Sequence, residues 1–523
     1  MKPTIHRGGL RRALAACAFV LSPLAALAQT TVFCGTGASN CSDSPMAGAI
    51  TASSAMVWLR LNANTPVRLR WQYAGDPTWV MSDFQTPGDE VDRTARFTLP
   101  NLVGATTYAY QVGITQADGS ETWSPSFYFH TQDARPKTLS FSVLSDFVNN
   151  LYSSAALRTA TAQKNDMLFV IGDLDHRNPA MQSPLVFFPP NDPGALANMR
   201  KMHQTLRHPS YPIGADFYNG ILASPSPKKP QVPLYYVWDD HDFCANNTGS
   251  DCPSRDVAFQ AYRENYLWAA DSGLNGSAKC GQDGVFQRIP VGALADIIML
   301  DARSGRIDDS RGPLTMLGTC QMNWLKTRLK QSTAVWKIVL SPVPLNPKTK
   351  TWDGWGHFPA EHQQFVSFVA AAGIKNVIVM SGDIHTGGAY DDGSHSGLPE
   401  FSVPHANMSS KVVDTYCLPK PDPLTASEAT LDEPGTWTIG SLASPNTGAA
   451  TPKCLGVSPT PGLLDPLPPP PYPLAGTNQP GFVRIDLTAT TATFQVIGYD
   501  GVLRRGVTAD GTDTPLAVVM TAQ

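Results

Sequence analysis

The sequence contains no G-x-S-x-G elbow, no C-x-x-C pair and no long internal repeat. The first absence counts against a serine esterase on an α/β sheet, because that chemistry sets its nucleophile on a sharp strand-to-helix turn. The second counts against a zinc–thiolate site, and the third against a repeat architecture. Basic charge is not in excess either: 39 Lys and Arg stand against 43 Asp and Glu, a formal net charge of −4. Such a balance exerts no general pull on nucleic acid or anionic membrane. An anionic ligand has to be attracted locally, by metal ions or a few arginines. Hydrophobic content of 42% and charged content of 16% are ordinary for a folded chain and argue against wholesale disorder. A length of 523 residues allows two or three domains with large cores. Proline, at 45 residues, is plentiful and predicts long irregular loops.

The N-terminus has the order of an export signal. Lys2, Arg7, Arg11 and Arg12 precede an apolar stretch over 13–28 that ends in Ala26-Leu27-Ala28. That stretch is shorter than the roughly 20 residues of a membrane span, and Ser22 and Pro23 interrupt it. Residues 1–28 are therefore read as a signal peptide. Its removal takes the formal charge from −4 to −8, and the mature chain is expected to be periplasmic or secreted, with no transmembrane segment. Arg11-Arg12 leaves general secretory and twin-arginine export both open. Leu14-Ala15-Ala16-Cys17 lies ahead of most of the apolar run, the wrong side for a lipoprotein cleavage site. Beyond Cys17 an even set of eight cysteines fits disulfides in an oxidising compartment. Proximity suggests Cys34 with Cys41, Cys244 with Cys252 and Cys417 with Cys454, which leaves Cys280 for Cys320. Other pairings stay open, as do free buried thiols.

Residues 30–134 read as an all-β sandwich. The stretches 55–61, 67–73 and 107–112 alternate with the period of half-buried strands. The block has no histidine before His130, which suits a structural or positioning module. From 138 onward, apolar strands alternate with helical stretches at 155–164, 256–270, 321–331 and 360–372, the pattern of an α/β domain over 138–523. A Pro/Gly-rich loop at 445–480 contains Pro468-Pro469-Pro470-Pro471. The stretches 482–487 and 493–497 then alternate as a hairpin expected to close that domain's sheet.

Five short polar blocks each follow an apolar strand: Ser145-Asp146, Gly172-Asp173-Leu174-Asp175-His176, Trp238-Asp239-Asp240-His241-Asp242, Leu300-Asp301-Ala302-Arg303 and Ser381-Gly382-Asp383-Ile384-His385. Strands buried on both faces belong to helix-covered sheets, whose ligands bind at the strand carboxyl ends. Carboxylates with a few imidazoles there suit divalent or trivalent metal ions. Each block alone has a plainer reading: a strand-end Asp caps loops, and His176 can be a hydrogen-bonded loop histidine. Three carboxylates around His241 repel one another unless cations neutralise them. Arg303 and Arg306 suit either an oxyanion clamp or structural ion pairs.

In this order the blocks resemble the alkaline phosphatase D group of the calcineurin-like metallophosphoesterases. Asn246-Asn247, Trp352-Asp353-Gly354-Trp355 and Pro359-Ala360-Glu361 are similar to further blocks of that group, and the resemblance spans about residues 45–510. It implies a four-layer α/β metallophosphoesterase sandwich behind a fibronectin-III-like β-sandwich. It further implies two metal ions bridged by Asp173, with Asp146, His176 and His385 on one and Asp240 and Asp383 on the other. His241 would assist the leaving group, and Arg303 or Arg306 would hold a phosphate oxygen. Many members have Cys and Tyr where Asp146 and His176 stand, so iron, calcium, manganese and zinc are all compatible here. The activity implied is a metal-dependent phosphomonoesterase or phosphodiesterase acting on a small phosphate ester. The alternatives are a phospholipase-type diesterase, favoured if aromatics over 352–358 are exposed, and a non-catalytic cell-surface binding protein on the same fold. Nucleic acid is expected only as a possible substrate; the sequence does not fix the oligomeric state.

Overall fold

The computed structural model describes residues 43–147, 151–174, 176, 178–183, 186–205, 207, 212–224, 226–276, 283–308, 312–347, 350–383, 389–393, 396–406, 481–507, 513–515 and 517–523. Residues 1–28, read above as a signal peptide, the Pro-rich stretch, His385 and Cys34, Cys41, Cys280, Cys417 and Cys454 lie outside the described residues.

Eight strands build the first module: β1 (Asp43–Gly48), β2 (Ala55–Arg60), β3 (Val67–Tyr73), β4 (Val80–Met81), β5 (Thr94–Leu99), β6 (Thr107–Thr115), β7 (Glu121–Trp123) and β8 (Phe127–His130). One antiparallel sheet runs β1-β2-β5 and the other β4-β3-β6-β7, with β8 also on β6. Val67, Leu69 and Trp71 of β3 face inward while Arg68 and Arg70 between them are only half-buried. The inner residues pack on Val57, Leu59, Phe97, Tyr110, Val112 and Phe129, the alternation of a strand with one buried face.

The second unit stacks two sheets. Its elements begin with β9 (Thr138–Leu144), α1 (Leu151–Ala162), β10 (Met167–Ile171), a small hairpin of β11 (Met181–Ser183) and β12 (Val186–Phe187), α2 (Pro193–Thr205) and α3 (Pro212–Phe217). They continue with β13 (Leu234–Val237), α4 (Asp240–Phe243), α5 (Arg255–Asn265), β14 (Asp271–Ser272), β15 (Gln287–Val291), β16 (Ala295–Met299), α6 (Gly318–Gln331), β17 (Trp336–Ser341), α7 (Pro359–Ala371) and β18 (Val377–Ser381). Then come β19 (Ala389–Asp391), β20 (Glu400–Ser402), β21 (Gly481–Thr488), β22 (Thr491–Gly498), a second small hairpin of β23 (Arg505–Val507) and β24 (Asp513–Pro515), and β25 (Ala517–Thr521). The six-stranded sheet is ordered β13-β10-β9-β21-β22-β25 and the seven-stranded sheet β14-β15-β16-β17-β18-β20-β19.

The all-apolar strands explain the layering. Ile297, Met299, Ile338, Leu340, Ile378 and Met380 enter the core shared with Phe141, Val143, Phe169 and Ile485 of the other sheet. Their neighbours Ile298, Val339, Val377 and Val379 face a second core with Trp324, Leu325 and Leu329 of α6 and Phe365 and Val369 of α7. Period-2 alternation thus buries both faces of one sheet. On the other side α1 adds Ala156, Leu157 and Ala160, giving helix, sheet, sheet, helix. The hairpin β21–β22 joins the sheet as expected, with β21 antiparallel to β9.

One helix is shorter than its sequence pattern. Expected over 256–270, α5 stops at Asn265. The first module takes its terminal carbonyls: the Trp58 indole N–H donates to Glu264 O at 2.7 Å and Arg96 donates to Tyr266 O at 3.3 Å. These partners satisfy groups that further helical turns would otherwise have satisfied.

Candidate metal centre

Strands β9, β10 and β13 are mutually parallel in one sheet, and β16, β17 and β18 in the other. Asp146, Asp173, Asp239, Asp240 and Asp383 all stand just past the carboxyl ends of these strands. Asp146, Asp173 and Asp383 adopt the left-handed region, with φ of 58°, 50° and 58°. That conformation is uncommon outside glycine, and Asp is among the residues that tolerate it best. It turns each carboxylate abruptly off its strand. The glycines beside them permit close approach. A Cβ on Gly172 (φ 99°) would lie 2.6 Å from Asp239 Cβ, and one on Gly382 would lie 2.3 Å from Ser145 Oγ. Hydrogen bonds tie the strand ends together: Phe147 N–H donates to the Asp173 carbonyl at 2.6 Å and Asp383 N–H to the Asp146 side-chain Oδ2 at 3.3 Å.

Asp173 is the shared member of three clusters whose ligand atoms lie within 4.8 Å of one another: with His176 and His241, with Asp146 and Asp383, and with Asp239 and Asp240. The structure therefore brings together Asp146, Asp173, His176, Asp240, His241 and Asp383; His385 lies outside the described residues. Asp146 and Asp173 are fully buried. His176 Nδ1 lies 2.7 Å from Phe147 O and its Nε2 3.1 Å from Asp173 Oδ2. His241 Nδ1 lies 2.6 Å from Asn178 Oδ1, and the two imidazole centroids are 4.4 Å apart. Asp240 is held by two backbone N–H donors, its neighbour His241 at 2.8 Å and Asn247 at 2.5 Å.

Burial pushes the Asp173 carboxyl up to about 8, with nearby Asp240 adding repulsion and His176 opposing. Burial also raises Asp239 to about 7 against the pull of Arg303, and raises Asp383 well above the carboxylate range against Lys350. Although burial opposes it, Asp173 lifts the His176 imidazole to about 10. Neither carboxylate oxygen of Asp173 receives a well-formed hydrogen bond. A buried acceptor normally has a partner, and crowded carboxylates need positive charge. A set of hard oxygens with two imidazoles fits divalent or trivalent cations.

The arginines form ion pairs, one of the two roles open to them from sequence. Arg303 is fully buried, forking onto Asp239 at 2.5 and 3.0 Å and onto Asp353 at 2.7 and 2.8 Å. Arg306, equally buried, bonds Asp308 Oδ2 at 2.8 Å, Asp353 O at 3.1 Å and Asp353 Oδ1 at 2.7 Å. Both guanidiniums serve carboxylates of the protein. Asp301 pairs with neither side chain; it takes the Trp238 indole N–H at 3.0 Å and the Val285 and Arg303 backbone N–H groups. The sequence reading missed Asn178 and Lys350 as members of this centre and met Asp239 and Asp353 only within motifs. The Lys350 ammonium ion-pairs with Asp383 Oδ2 and lies 3.9 Å from Asp353. The aromatic run at 352–358 does not form an exposed patch: Trp355 and Phe358 are buried in the core under α7. One expected disulfide, Cys244–Cys252, closes the loop behind Asp240, and Cys320 is also disulfide-bonded.

Solved structures share this fold. A structure of PhoD shares the fold with a TM-score of 0.59 at 17% identity, over 92% of this chain and 90% of that one. A purple acid phosphatase from yellow lupin (Lupinus luteus) seeds gives 0.52 at 11% identity, over 92% and 74%. The protein thus shares the layered two-sheet sandwich fold of these structures, preceded by a β-rich module. Residues 226–411 match the model of the PhoD-like phosphatase family. Alkaline phosphatase D of Bacillus subtilis (strain 168) is 28% identical over 185 residues, 29% of this chain and 31% of that protein. The match therefore spans about a third of the curated relative's length.

Proposed function

We propose that this protein is an exported, metal-dependent phosphoric ester hydrolase acting on phosphomonoesters, phosphodiesters or both. The observation that carries the reading is Asp173: fully buried, lacking a well-formed hydrogen bond, and common to all three carboxylate–imidazole clusters. Asp173 would bridge two metal ions, with Asp146, His176 and His385 completing one set and Asp240 and Asp383 the other. Bound ions would acidify a water nucleophile and neutralise phosphoryl oxygens.

The chain's own groups do the rest. The Asn178 amide oxygen accepts from His241 Nδ1, so that nitrogen carries a hydrogen. In the imidazolium form Nε2 carries the second proton, and it is this proton that would pass to the departing alkoxide, leaving the ring neutral with its hydrogen on Nδ1. Arg303 and Arg306 hold Asp239 and Asp353 in place, which supports the ion-pair alternative to the phosphate clamp that the resemblance implies. Export is supported by the Cys244–Cys252 disulfide and the order of residues 1–28. Among the described residues no helix is long and apolar enough to cross a membrane.

The test is hydrolysis of p-nitrophenyl phosphate and bis-p-nitrophenyl phosphate by mature protein, before and after chelation and metal add-back, beside Asp173→Ala. Turnover restored by metal and absent in the variant is the expected result. No turnover of either ester by folded, metal-loaded protein would sink the reading.

A further inference from the structure

With Arg303 and Arg306 committed to Asp239 and Asp353, the centre needs another source of positive charge toward a phosphate. We infer that Lys350 is the substrate-contacting cation, a specificity-determining residue that favours doubly charged phosphoryl groups. This rests on the hydrolase reading above.

The position of Lys350 is set by its backbone. Lys350 has φ 48°, and its carbonyl accepts the N–H groups of Asp353 and Gly354 at 2.9 and 2.6 Å. This tight turn directs both Lys350 and Asp353 into the centre, where Lys350 is only 2% exposed. Its ammonium is paired with Asp383, itself in the Asp146–Asp173–Asp383 cluster. The two arginines differ in kind. Arg303 engages Asp239 and Asp353 through planar forks, a geometry that resists rearrangement. An ammonium is a compact point charge on a flexible stem and can change partners.

Asp383 would be one of the residues holding a metal ion, which would offset that carboxylate's charge. The ammonium, also 3.9 Å from Asp353 Oδ2, would then add positive charge beside the metal site, toward an anion bound there. A phosphomonoester dianion, and the inorganic phosphate it releases, gain more from this third cation than a diester monoanion does. Lys350 would therefore act on binding and on the monoester-to-diester ratio.

The experiment uses metal-loaded wild type, Lys350→Met and Lys350→Gln. Metal content is measured by mass spectrometry, inorganic phosphate affinity by calorimetry, and kcat/KM with the two nitrophenyl esters. A lost charge-assisted hydrogen bond predicts phosphate binding weakened on the order of tenfold or more. Metal content should be unchanged, and the monoester should lose more kcat/KM than the diester. Wild-type phosphate affinity in both variants overturns the inference. So does loss of metal, which would assign Lys350 to the metal centre, or failure of both variants to fold, which would make it structural. If wild type binds phosphate but turns over neither ester, the hydrolase reading fails, while the phosphate affinities still decide the role of Lys350.

Discussion

At the scale of single residues, the centre concentrates buried carboxylates whose ionisation is opposed in the absence of metal. Asp173 is raised to about 8 by burial and by Asp240, and Asp383 is raised as well. A carboxyl with a raised folded-state pKa adds stability that is complete below its ordinary value near 4 and is lost as pH climbs through the folded value. His176, lifted to about 10 against burial by Asp173, has the same sign: its contribution is complete below about 6.5 and fades toward about 10. The metal-free protein should therefore melt at steadily lower temperature as pH rises from about 5 to about 8.5. Metal-loaded protein should fall far less, because the cations neutralise the same carboxylates. Scanning calorimetry with chelator or with metal measures both curves. A metal-free melting temperature that is flat or rising across that window would overturn this account of the cluster. Asn in place of Asp173 should flatten the metal-free curve, since it removes the group that resists ionisation.

At the scale of elements, the loop behind α4 joins the disulfide to the centre. Cys244–Cys252 has a Cα–Cα distance of 6.0 Å and closes a loop in which Asn247 N–H donates to Asp240 Oδ2 and Ser250 N–H to Arg306 O at 3.1 Å. The double variant Cys244→Ser, Cys252→Ser should lose about 2–4 kcal/mol, read by urea denaturation. Metal affinity should fall as well, because Asp240 is no longer fixed. Unchanged affinity would show that the loop holds Asp240 without the cross-link. This scale is where sequence and structure agree most closely. Apolar runs mark β9, β10, β13, β16 and β18 because strands buried on both faces leave no polar alternation, and their ends fall where the Asp and Gly-Asp blocks begin. The spans of α6 and α7 were legible from periodicity. The N-terminus of α2 was legible too but was overlooked: Asp192 caps Gly194 N–H at 2.7 Å ahead of Pro193, a strong start signal. The end of α5 was not legible, since it depends on Trp58 and Arg96 from a distant module. The same holds for Lys350, Asp353 and Asn178 in the centre: nothing local in the chain shows that a turn near 350 reaches carboxylates past β13 and β18. Arg303 was legible as a residue, but its partners Asp239 and Asp353 lie 64 and 50 positions away.

At the scale of the whole molecule, the first module is fastened to the sandwich by its interior. Met46 and Trp58 belong to the same core as β9 and β10. Arg207 stacks its guanidinium 4.4 Å from the Trp58 ring centre. Gln231 is buried with its side chain saturated: it accepts from Ala47 N–H and the Tyr110 hydroxyl at 2.9 and 2.8 Å and donates to Pro45 O and Leu222 O at 2.8 and 2.7 Å. An interface of this kind couples folding, because neither side can withdraw without exposing core and orphaning polar groups. Wild-type protein should therefore unfold in a single calorimetric transition that includes both units. Trp58→Ala removes core volume together with the indole donor to Glu264 O, a loss of about 3–5 kcal/mol. It should also free the C-terminus of α5, which follows the loop carrying Asn247. The expected outcome is a lower melting temperature for the whole protein and weaker metal binding, although Trp58 touches none of the candidate ligands. Two separate transitions in wild type, or a Trp58→Ala variant that loses only the first module while retaining full metal affinity, would make that module a passenger. A shared transition would make it part of the scaffold that holds the strand ends of the centre at their spacing.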